Sequence, residues 1–115
     1  MIYQPIIIAY VFDFDKTLSP VYMQKVIFDH FNADEKQFWT EKEAYKRERI
    51  SRGINLDDEH AYLNLMLERV ENGQFPGLSN QLMRDLGANL PLYDGLPEFF
   101  PWMKEQYNSE FRAEV

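Results

Sequence analysis

Asp13 and Asp15 stand two residues apart directly after the apolar run Ile6-Ile7-Ile8-Ala9-Tyr10-Val11-Phe12. An ionised carboxylate can attack phosphorus, but a phosphate ester repels it until a hard cation such as Mg²⁺ neutralises the ester oxygens. A second carboxylate set just aside can protonate the departing oxygen and later take a proton from the water that frees the enzyme. Two acids at the end of a strand would also lie where open α/β sheets bind their ligands. The same pair would equally suit a plain polar turn between strand and helix.

The elements around the pair follow from composition and period. The run 6–12 is β-branched and aromatic without alternation, which predicts a strand buried on both faces, as in a parallel sheet. Ser19-Pro20 reads as an N-cap and first-turn proline, with Met23, Val26, Ile27, His30 and Phe31 following at helical spacing. A second helix opens at Asp34-Glu35 and runs to about Arg49. A third runs from Asp57 to a glycine stop at Gly73, and a fourth from Ser79 to Leu86. After the turn-rich 90–95, Pro97 starts a helix carrying Phe99, Phe100, Trp102 and Met103, irregular at Pro101. Residues 111–115 alternate as a second strand would.

Asp13-Phe14-Asp15-Lys16-Thr17-Leu18 resembles the first motif of the haloacid dehalogenase superfamily, Asp-x-Asp-x-Thr behind a hydrophobic strand. The resemblance implies Asp13 as nucleophile and metal ligand. It implies Asp15 as general acid/base that also lends a backbone carbonyl to the metal, Thr17 as support for the loop, and Mg²⁺ as cofactor. A carboxylate at Asp15 points to the phosphatase branch, so the implied substrate is a small phosphorylated metabolite. The implied fold is an α/β, Rossmann-like core fragment with an inserted α-helical cap, mostly helical over this chain. Its parts would be residues 1–18 as first core strand and nucleophile loop, 19–90 as cap, and 91–115 as returning core helix and start of a second core strand. Tyr93-Asp94-Gly95-Leu96-Pro97 is similar to the turn that leads back into such a core. The superfamily's later groups, a Ser or Thr after a second strand, a Lys and a further acidic pair, have no counterpart in these 115 residues. The chain by itself is therefore expected to turn over little or nothing. The alternative is a non-catalytic interaction or regulatory module of the same descent, with an incomplete sheet that invites a second copy to pair.

Other polar residues have plainer readings. Asp57-Asp58 opens a helix, where carboxylates complement the positive end of the dipole. Lys16 and Lys42 are expected to be solvated, and His30 and His60 to be packed or surface histidines without a metal. Lys42 to Arg49 reads as an exposed charged face, and Phe38, Trp39, Tyr45 and Tyr62 as core packing or a substrate face. With 19 acidic and 12 basic residues and a net charge of -7, neither nucleic acid nor an anionic membrane is an expected partner. The absence of cysteine fits a reducing compartment, and no run is long enough to cross a bilayer, so a cytoplasmic protein is expected.

Overall fold

The glycine-punctuated segments after the apolar run form five helices within residues 8–107, the part described in the computed structural model. They are α1 (Lys25–His30), α2 (Glu35–Ser51), α3 (Asp58–Glu71), α4 (Asn80–Gly87) and α5 (Leu96–Tyr107). One unit is Met23–Leu90, with α1 to α4. The other combines Met1–Tyr22 with Pro91–Val115 and holds α5.

The expected α/β core is overturned. Among the described residues there is no strand, only an isolated bridge between Asp15 and Ser19. A strand is completed by hydrogen bonds to a neighbour, and no described segment offers residues 8–12 one. Residues 8–12 are open to solvent, with Val11 89% exposed where burial on both faces was expected. Their aromatic residues meet α5 instead: Phe12 packs edge-on against Phe99 and Phe100, and Tyr10 lies 5.8 Å from Tyr107. The second strand, expected at 111–115, and Ile6-Ile7 lie outside the described residues.

The helix boundaries are set by caps. The carboxylates of Asp34 and Asp57 and the hydroxyl of Ser79 accept from the backbone N–H three residues on, at Gln37, His60 and Leu82, relieving donors that a first turn leaves unpaired. α2 and α3 stop in the same way. Gly53 N–H donates to the Ile50 carbonyl and Ile54 N–H to that of Arg49. Gly73 N–H donates to Val70 and Gln74 N–H to Arg69. Both glycines sit at positive φ, +80° and +72°, a backbone that L side chains adopt at a cost. The helix expected from Ser19 starts later, at Lys25 after Gln24, because Ser19 is engaged elsewhere.

The core of the Met23–Leu90 unit is Ile27, Phe28, Phe38, Leu65, Met66, Phe75 and Leu86. The turn after Gly73 drives Phe75 inward, where its ring stacks on Phe31 at 5.0 Å and lies 6.4 Å from Phe28. Phe38 is part of this core, and the partly buried Trp39, Tyr45 and Tyr62 pack against it.

Charge pairs join α2 to α3. The Lys42 ammonium donates to Glu43 and Asp58, Lys46 shares Asp58, Arg69 reaches Glu41, and Arg49 reaches Glu68. Lys42 is thus not the solvated lysine expected from sequence. Only 9% of it is exposed, and its ammonium, held above all by Glu43, has its pKa raised. A cation so placed gives up hydration for its ion pairs, so an apolar side chain of similar volume can do as well.

In urea unfolding, Phe28→Ala should cost about 3–5 kcal/mol, while Lys42→Met should stay within about 1.5 kcal/mol of the parent or exceed it. The carboxyl of Asp57 lies below its ordinary 3.8, first because it accepts from the His60 backbone N–H. Asp58 is lowered likewise by its hydrogen bonds to Lys46 and Lys42. A folded-state pKa below the unfolded one stabilises above the unfolded value, and that contribution fades as pH falls through the folded one. The urea midpoint should therefore drop below about pH 4, and drop less in Asp57→Asn, which keeps a capping oxygen but cannot titrate.

Candidate functional site

The segment Asp13–Ser19 is a tight turn built around one acceptor. The Phe14 carbonyl takes the amides of Thr17, Leu18 and Ser19 at 3.1, 2.9 and 3.2 Å. Curling three successive N–H groups onto one oxygen calls for a left-handed residue inside the turn, and Lys16 takes that conformation with φ +61°, unfavourable for a residue with a Cβ. Its side chain folds over the turn: Nζ donates to the Pro20 carbonyl at 3.0 Å and sits 4.9 Å from the centre of the Tyr22 ring. The Thr17 hydroxyl donates to Asp13 Oδ2 at 3.3 Å.

Behind the turn lies a clasp within the same unit. Ser19, with no exposed surface, donates its hydroxyl to the Pro91 carbonyl at 2.7 Å, and Tyr93 N–H donates to the Leu18 carbonyl at 3.1 Å. The same Ser19 oxygen accepts from Val21 N–H at 3.4 Å. The residue read as a helix cap in sequence therefore anchors this turn to a segment 72 residues away. Only the hydroxyl itself hinted at this; spacing along the chain could not name its partner.

Of the residues singled out by sequence, Asp13 and Thr17 are brought into contact and are open to solvent, and Asp15 is half-buried at the bridge with Ser19. Lys16 is committed to Pro20 and Tyr22, and Lys42 to the α2–α3 ion pairs. His60 contacts Asp57 through Nδ1 at 2.6 Å, a pair at a helix start. Among the described residues no three or more His, Asp or Glu side chains converge as a cation cage. Mg²⁺ is commonly held by only one or two carboxylates, with water and substrate oxygens completing its shell. Solvent-open Asp13 and half-buried Asp15 offer hard oxygen donors of that kind, so the donor set fits such an ion.

The chain is similar to an uncharacterized protein of Borreliella burgdorferi, with 37% identity over 100 residues, covering 86% of this chain and 35% of that protein. It thus spans about a third of the length of the curated relative it matches. No family model and no solved structure matches it. No helix among the described residues is long and apolar enough to cross a membrane.

Ser19→Ala removes the hydroxyl from the clasp and should lower stability by about 1 kcal/mol in urea unfolding. An unchanged midpoint would mean that the Pro91 contact contributes nothing.

Proposed function

We propose that this segment is the nucleophile loop and helical cap of a Mg²⁺-dependent phosphatase of the haloacid dehalogenase type, acting on a small phosphomonoester. The observation that carries the proposal is the Asp13–Thr17 turn: Asp-x-Asp-x-Thr in sequence, and a solvent-open Asp13 held by the Thr17 hydroxyl in space. The proposal rests on this turn and not on a sheet. Asp13 attacks phosphorus as the ester bond to the leaving oxygen breaks, and Asp15 gives that oxygen its proton. The Asp15 carboxylate then takes a proton from water, which attacks the phospho-aspartate and releases phosphate with Asp13 restored. Bound Mg²⁺ would offset the negative charge of phosphate and carboxylates. The Thr17 hydroxyl, on Oδ2, restricts rotation of the attacking carboxylate.

The chemistry also needs a lysine and a second acidic pair to balance phosphate charge. In the proposal these belong to the longer protein; the Borreliella burgdorferi relative has about two thirds of its length outside the match. The compartment that fits is the cytoplasm, consistent with the absence of cysteine.

A second reading, a non-catalytic interaction module, has its own observation. Ile8, Tyr10, Val11, Leu92, Tyr93, Trp102 and Tyr107, all in the unit that bears α5, are exposed, and large apolar side chains left open in one unit favour a docking role.

The test is Mg²⁺-dependent hydrolysis of para-nitrophenyl phosphate by the longest natural protein containing this segment. Asp13→Asn should lower turnover at least roughly a thousandfold and Asp15→Asn by roughly 10²- to 10⁴-fold. Retained turnover in Asp13→Asn would remove the phosphatase proposal and leave the interaction module.

A further inference from the structure

Lys16 is one of two non-glycine residues at positive φ among those described; the other is Asn32, and asparagine visits that region far more readily than lysine. Residues held in sparsely populated backbone regions persist where the surroundings fix them, and they gather at sites where geometry matters. Lys16 lies between the two acids and the threonine of the turn, and two contacts fix it: its ammonium donates to the Pro20 carbonyl and faces the Tyr22 ring. A lysine kept only as surface charge would need neither the backbone conformation nor the strap.

We propose that Lys16 is a positioning residue for the reaction at Asp13, an inference that rests on the phosphoryl-transfer proposal above. The strap from Nζ to Pro20 and Tyr22 holds the left-handed turn. That turn brings the amides of residues 17–19 onto the Phe14 carbonyl and carries the Thr17 hydroxyl to Asp13 Oδ2. Lys16 therefore acts through Thr17 and the backbone, not on the substrate. In this proposal the lysine that balances phosphate charge is a different residue. Loss of the strap should leave Asp13 less often oriented for attack, and misplacement of a reacting group by about 1 Å can cost about a hundredfold in rate.

Three substitutions separate backbone from strap in the longest natural protein containing this segment, assayed with Mg²⁺ and para-nitrophenyl phosphate. Lys16→Gly permits positive φ but removes the strap, Lys16→Ala removes the strap and resists positive φ, and Lys16→Arg keeps a cation able to donate to Pro20 and face Tyr22. The expected result is a kcat lowered roughly tenfold in Lys16→Gly and up to about a hundredfold in Lys16→Ala. KM should stay within about twofold because substrate contacts are untouched, and Lys16→Arg should recover most of kcat. Circular dichroism and thermal melting show whether each variant is folded. If Lys16→Ala is not, Lys16→Gly and Lys16→Arg decide.

Parent-like kcat in Lys16→Gly overturns the strap, and so does a loss seen in KM alone, because lysine would then be contacting substrate. If Asp13→Asn abolishes turnover while every Lys16 variant matches the parent, the inference about Lys16 fails and the phosphatase proposal stands. If the unaltered protein has no turnover, or Asp13→Asn keeps it, both fall together.

Discussion

The candidate loop depends on one closure, the hydrogen bonds from Ser19 Oγ to Pro91 and from Tyr93 N–H to the Leu18 carbonyl. Joining positions 72 residues apart carries a loop-closure cost that rises with the logarithm of the intervening length. The Met23–Leu90 unit lowers that cost from within, because α1 at its start packs on α4 near its end. A folded insertion with neighbouring ends behaves as a much shorter loop than its residue count implies. The order of dependence is then plain: the aromatic core around Phe28, Phe38 and Phe75 folds the excursion, the fold lets the clasp form, and the clasp fixes the end of the turn that presents Asp13.

That turn concentrates unusual demands in a few residues. One carbonyl accepts three amides, a lysine adopts a left-handed backbone, and a threonine hydroxyl occupies one oxygen of an acid. A linker meant only to turn the chain would use glycine or asparagine at the left-handed position. Lysine there, held through its own side chain, argues that the loop's shape matters to what the two carboxylates do.

Much of the local structure was readable from residue types. Asp34, Asp57 and Ser79 announced helix starts through short acceptor side chains, and Gly73 announced a stop, because these signals act within one turn of chain. What failed to read through were the features decided at a distance. The run 6–12 has the composition of a buried strand, but composition cannot supply the neighbour a strand requires, and residues 8–12 pack rings against α5 without one. Lys42 looked like one more solvated charge until α3 brought Asp58 to it, and Ser19 looked like a cap until Pro91 arrived. Phe75 sits in a turn-rich stretch with no helical period, so nothing nearby marked it as core. Asp13, Asp15 and Thr17 lie within five residues, so their sharing one turn was legible; the left-handed backbone of Lys16 was not, because it leaves no trace in a lysine's identity.

In the proposed reaction Asp13 takes a phosphoryl group from the substrate. Mass spectrometry after rapid quenching of the longest natural protein containing this segment, mixed with Mg²⁺ and a small phosphomonoester, tests it most directly. The expected result is a transient, hydroxylamine-labile phosphoryl adduct on Asp13 that requires Mg²⁺. Steady turnover with no adduct, or with the adduct on another residue, would contradict it.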